Sequence, residues 1–223
     1  MALTDQELAR LIDHTLLKAE ATAAQIDRLC AEARQYNFYA VCVNPVHVAG
    51  AVRALSGSRT VAASVAGFPL GASQRGSKMD EARRALDDGA REIDMVLDIG
   101  GLIEGRAPRV TDDIRAVAEV VHRAGPGHML KVILETAVLS PEQIAAGCRC
   151  CVQAGADFVK TSTGFHPAGG ATVEAVRLLR KHAPQLGVKA AGGIRDRSTA
   201  LAMVEAGATR LGTSASVAVV KGD

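Results

Sequence analysis

Short runs of β-branched and small apolar residues alternate along this chain with longer stretches whose apolar positions recur every three or four residues. The first kind predicts strands at 11–15, 39–43, 60–66, 92–97, 130–135, 157–161, 187–191 and 210–212. The second predicts helices at 23–35, 78–88, 112–124, 141–154, 172–182 and 198–206. Punctuation agrees with the periodicity. Ser140-Pro141-Glu142 supplies a cap, a first-turn proline and an early acid, and Gly89, Gly155 and Gly207 each close a helix before the next strand.

The segments DDGAREIDMV, QAGADFVKTS and EAGATRLGTS repeat one phrase: helix end, Gly-Ala, strand. Repetition of one αβ unit predicts a parallel sheet covered by helices. About eight such units at this length predict an α/β fold of the closed (β/α)8 barrel type. A doubly wound dinucleotide fold fits less well, because the nearest glycine cluster, Gly125-Pro126-Gly127, follows a helix and lacks a third glycine. No linker interrupts the pattern, so residues 1–223 read as a single barrel domain.

Composition narrows the function classes. A hydrophobic fraction of 48% with only 3% aromatics suits closely interlocked strands and helices. A globule of this length buries roughly 70–75% of its unfolded surface, so the core needs neither metal nor disulfide. The net charge of +2, with both signs interspersed, leaves no footprint of nucleic-acid or membrane binding. The N-terminal MALTDQELARLIDH lacks the basic-then-apolar order of a secretory signal, and no stretch approaches the ~20 apolar residues of a membrane helix. Five cysteines without an export signal point to reduced thiols and a cytoplasmic location. A homodimer is the expected assembly, closed pairs being the commonest.

In a barrel, functional groups gather at the C-terminal ends of several strands. The polar residues that interrupt the predicted strands are Asp13, Thr15, Asp94, Lys131, Lys160 and Lys189. Lys160 lies in DFVKTSTGF and Lys189 in GVKAAGGIR, both inside apolar runs. Burying an ammonium is costly, so such a lysine is either a paired ion or an amine made reactive. Two of them at successive strand ends suggest amine chemistry on a carbonyl substrate. Asp94 reads as a simple ion-pair partner of Lys131 or as a working carboxylate between Lys131, Lys160 and Lys189, and the two roles can hold together. In the second case it stays ionised and helps set which amine is neutral.

The motifs IDHTLL, VCVNP, FPLG, EIDMV, LKVILET, FVKTSTGF, GVKAAGGIR and RLGTS stand in this order from about residue 11 to about residue 216. In that order and spacing the chain resembles the 2-deoxyribose-5-phosphate aldolase family. The resemblance implies a (β/α)8 barrel and a class I aldolase that uses no metal or cofactor. It implies reversible cleavage of 2-deoxy-D-ribose 5-phosphate to D-glyceraldehyde 3-phosphate and acetaldehyde, a step of deoxyribose catabolism. Lys160 matches the Schiff-base lysine, Lys189 its companion, which supplies a like charge and shuttles protons, and Asp94 the carboxylate that handles the substrate hydroxyl through a water. Asp13, Thr15, Leu17, Lys131 and Thr163 are then expected around the substrate, with Leu17 facing the methyl group of acetaldehyde and Asp13 orienting its neighbours.

Phosphate is expected at the last strand ends, on the N–H groups of Gly164, Gly192, Gly193 and Gly212 and on Ser214; these glycines read equally as turn residues. Two departures stand out. Phe165 occupies a place where some relatives carry a lysine, which shifts phosphate recognition toward N–H groups, Ser214 and Arg195. The chain ends at KGD without the terminal tyrosine of some members, so water or Lys189 is expected to serve in its place. Cys148-Arg149-Cys150-Cys151 reads as helix packing rather than a zinc or redox motif, and Cys42 as a core thiol that a reactive aldehyde could alkylate. Two rival readings remain: an aldolase for another phosphorylated sugar, and a non-catalytic phosphosugar-binding barrel in which Lys160 is only an ion-pair partner.

Overall fold

The computed structural model describes residues 3–222; Met1, Ala2 and Asp223, which belong to the two terminal segments read above, lie outside the described residues. Its strands are β1 (Ile12–Leu16), β2 (Ala40–Val43), β3 (Val61–Ala66), β4 (Glu92–Val96), β5 (Met129–Ile133), β6 (Phe158–Lys160), β7 (Gly187–Ala191) and β8 (Arg210–Thr213). All neighbouring pairs are parallel, and β8 pairs with β1 to close the barrel in sequence order. The α/β barrel expected from the repeated phrase is the fold observed.

The helices are α1 (Asp5–Ala9), α2 (Ala23–Tyr36), α3 (Val48–Ala54), α4 (Arg75–Asp87), α5 (Ile99–Ile103), α6 (Ala107–Arg123), α7 (Pro141–Ala154), α8 (Val173–His182), α9 (Arg197–Glu205) and α10 (Ser216–Lys221). Local chemistry places their starts. Thr22 with Gln25 and Ser140 with Gln143 form reciprocal capping boxes on α2 and α7, and the Thr172 and Asp196 side chains cap α8 and α9. Helices α1, α3, α5 and α10 go beyond those that periodicity predicts, because five to seven residues offer too few turns to display a 3.6-residue repeat. Helix α6 begins five residues before its expected start, with Pro108 in its first turn. Strand β6 is shorter than expected: the Thr161 hydroxyl, bonded to the backbone of Ala191, takes over past Lys160.

Strand alternation divides the interior. Outward residues such as Ile12, Val41, Ile93, Val132, Val159, Val188 and Leu211 join the helices in one continuous core. Ala40, Cys42, Ala63 and Val65 form a separate small apolar cluster with Leu17. On the inner face β1 and each of β4 to β8 carry at least one charged residue: Asp13, Glu92, Asp94, Lys131, Lys160, Lys189 and Arg210.

Candidate active site

Positions two apart share a strand face, so Glu92 and Asp94 of β4 point the same way. Register sets Asp94 beside Lys131 of β5 and Lys160 of β6 beside Lys189 of β7. Lys189 in turn stands beside Arg210 of β8, and β8 returns to Asp13 on β1. Three carboxylates and four cations therefore meet inside the barrel, each side chain essentially without solvent exposure.

Asp94 is the hub. Its Oδ1 accepts from Lys131 Nζ at 2.8 Å, and its Oδ2 accepts from both Lys160 and Lys189 at 2.7 Å each. Asp13 accepts from Lys189 and, at 2.9 Å, from Arg210. Glu92 binds Lys131 at 2.5 Å and Arg210 at 2.9 Å. The Arg210 guanidinium also lies over the Tyr39 ring, 3.5 Å from its centroid.

Burial and charge decide the protonation states. Burial alone would raise Asp94, but the three lysines overturn it and hold the carboxyl well below the usual range. Burial would likewise lower Lys189, yet Asp13 and Asp94 outweigh it and raise the ammonium above its ordinary value. Lys160 goes the other way. Burial lowers it, Asp94 opposes, and the Lys189 charge adds to the lowering. With four cations facing three carboxylates, the amine that gives up its proton most readily is Lys160.

Lys160 is also the member of this cluster that reaches open space. It lines a cavity of about 350 Å³, together with Thr15, Leu17, Thr163, Gly164, Gly192, Gly193, Gly212 and Ser214. Gly164, Gly192 and Gly193 have positive φ. Gly212 does not; there a Cβ would come within 3.0 Å of Lys189 Cε, so the position is reserved by the lysine rather than by a turn. Four expected residues are placed otherwise. Lys131 and Asp13 have no exposure and do not line the cavity, and their charged atoms are taken up by ion pairs. They brace the ion cluster from behind the cavity wall. Asp94 and Lys189 are likewise enclosed behind Lys160.

Residues that the sequence reading did not single out also shape the site. Glu92 and Arg210 complete the ion cluster, Lys18 joins the cavity wall, and buried Glu135 holds Thr163. For Glu92 the one local signal is its place two before Asp94 on the same strand face; Glu135, in left-handed backbone past the end of β5, has none. Phe165 lines the cavity half exposed, its ring edge-on to Phe68 at 5.2 Å; Arg195, exposed, lines it too. Cys42 does not reach the cavity, and burial pushes its thiol up to about 11. Cys148, Cys150 and Cys151 are buried and unbridged in α7.

The sequence pattern of the DeoC/LacD family aldolases matches residues 8–218. Deoxyribose-phosphate aldolase of Thermococcus gammatolerans is 52% identical over 223 residues, covering 99% of this chain and 98% of that one. A crystal structure from Coccidioides immitis superposes with a TM-score of 0.93 at 44% identity, covering 99% of this chain and 87% of that one. The tetrameric deoxyribose phosphate aldolase of Aeropyrum pernix does so with a TM-score of 0.89 at 33% identity, covering 98% and 91%. A buried lysine cluster at the mouth of a (β/α)8 barrel, within a match that spans nearly the whole sequence, means that this chain belongs to the DeoC/LacD aldolase family.

Proposed function

We propose that the protein is a class I aldolase that reversibly cleaves 2-deoxy-D-ribose 5-phosphate to D-glyceraldehyde 3-phosphate and acetaldehyde. The observation that carries this reading is Lys160: of the buried amines around Asp94, it alone lines the cavity and it alone is shifted toward the neutral form. A neutral amine in a desolvated pocket beside a second cation is the arrangement that makes lysine a carbonyl nucleophile.

In this reading the Lys160 nitrogen adds to the aldehyde carbon of the open-chain sugar, and the carbinolamine takes up a proton as it loses water to give an iminium; final hydrolysis returns that proton. A water relays the C3 hydroxyl proton toward Asp94, the carboxylate that touches Lys160. The electron pair of the C2–C3 bond moves into the iminium, releasing glyceraldehyde 3-phosphate and leaving an enamine. Lys189, protonated at rest and sharing Asp94 Oδ2 with Lys160, supplies the proton that reaches the enamine carbon and recovers one from Asp94. Hydrolysis of the resulting imine frees acetaldehyde and restores Lys160. The sequence uses no metal or cofactor.

The phosphate would meet Gly164, Gly192, Gly193, Gly212 and Ser214, with Lys18 and Arg195 adding positive charge at the rim. Phe165 and Phe68 put an apolar edge where a further cation would otherwise stand, which weakens the preference for phosphorylated aldehydes. The protein acts in the cytoplasm as a homodimer in this reading; among the described residues no helix is long and apolar enough to cross a membrane. Purified protein incubated with 2-deoxy-D-ribose 5-phosphate should release acetaldehyde, measured by coupled reduction to ethanol, and Lys160→Leu should lose at least a thousandfold. No acetaldehyde release, or retained turnover in that variant, would refute the assignment.

A further inference from the structure

Glu135 follows β5 and is 1% exposed. Among the described residues it makes no salt bridge, although a buried carboxylate without a counter-ion is costly. Its backbone is left-handed, with φ 60° and ψ 59°, a conformation that a residue bearing a Cβ adopts only when its surroundings impose it. Among the described residues the other non-glycine residue with positive φ, Asn37, sits at the C-cap of α2, where that geometry is ordinary.

What the strained backbone achieves is contact with one residue. The Thr163 N–H donates to both Glu135 oxygens, at 3.2 and 3.4 Å, and the Thr163 hydroxyl donates to Oε2 at 2.5 Å. Thr163 Oγ1 in turn accepts from the Phe165 N–H at 3.1 Å. The hydroxyl proton is therefore committed to Glu135, and what Thr163 can offer the cavity is a lone pair. We propose that Glu135 is a positioning residue that fixes Thr163 as a hydrogen-bond acceptor, so that the Thr163 oxygen receives a substrate O–H and does not donate to it. This rests on the aldolase reading above. It assigns Thr163 to a hydroxyl of the sugar and excludes it as a donor to phosphate oxygens.

Replacing Glu135 by Gln keeps the size but removes one acceptor. One side of the amide must then face a Thr163 donor with N–H groups, so either the backbone bond is lost or the hydroxyl reverses. A double-mutant cycle on kcat/KM for 2-deoxy-D-ribose 5-phosphate separates this role from simple support of the fold. Glu135→Gln and Thr163→Val should each lose at least tenfold, and the double variant should lose no more than the worse single one. Multiplying losses, or full activity in Glu135→Gln, would overturn the proposal. Should Glu135→Gln fail to fold, Thr163→Ser, which keeps the oxygen, must lose less than Thr163→Val; equal losses would overturn it as well. Borohydride trapping of acetaldehyde on wild-type Lys160 runs alongside. If Lys160 is not labelled, the aldolase reading falls and this proposal with it, whereas labelling with multiplying losses removes this proposal alone.

Discussion

Lys160 and Lys189 share one acceptor oxygen, yet their proton affinities move in opposite directions. The difference is the number of carboxylates each touches. Lys189 has Asp13 and Asp94; Lys160 has only Asp94, which it divides with two other ammonium groups. Desolvation is common to both, so it cannot select between them, and the second carboxylate decides. The pH dependence follows with a definite sign. Because the Lys160 ammonium is destabilised, its neutral fraction rises at a pH below that of an ordinary lysine, about 10.4. Imine formation with acetaldehyde should therefore rise with pH to a plateau whose midpoint lies below that value. In Lys189→Met the like charge is gone and Asp94 is less contested, so the Lys160 ammonium is favoured and the midpoint should move to higher pH. Rapid-mixing trapping rates across pH measure it; an unmoved or lowered midpoint would mean that Lys189 does not tune Lys160.

Among the elements, β8 binds the barrel's charged interior together through Arg210, which reaches Asp13 on β1 and Glu92 on β4 from a buried position. Removing one partner of such a network leaves carboxylates buried with too little compensation, a loss of about 3–5 kcal/mol. Arg210→Met should lower stability by that amount in urea unfolding, and a change below about 0.5 kcal/mol, the range of ordinary surface substitutions, would show the guanidinium to be dispensable. Strands and long helices were legible from the chain because each carries its own period, and three of the helices are closed by a glycine, at Gly89, Gly155 and Gly207. Helices α3 and α5 were not, since one or two turns carry no period. Asp94 and Lys160 announced themselves as charges within apolar runs. Arg210 and Glu92 stand at strand starts, where a charge reads as solvent-exposed; only barrel closure brings them inward. Glu135 escaped for a related reason: its partner, Thr163, belongs to the loop after the next strand, and no local spacing records that contact.

At the level of the whole molecule, the barrel separates two tasks. One part of the interior, on β2 and β3, is small and apolar; the rest, from β4 round to β1, holds a desolvated cluster with one more positive group than negative. Of its cations, the amine shifted toward losing its proton is the one that faces the cavity. The match of nearly the full chain to aldolases, at about half identity, fits the same chemistry. The direct test is chemical. Acetaldehyde and borohydride should convert the Lys160 amine to its N-ethyl derivative, through an imine that hydride reduces, and peptide mass spectrometry locates the adduct. The account predicts an ethyl group on Lys160 and none on Lys131 or Lys189. An unmodified Lys160 peptide, or an adduct on one of the other two, would contradict it.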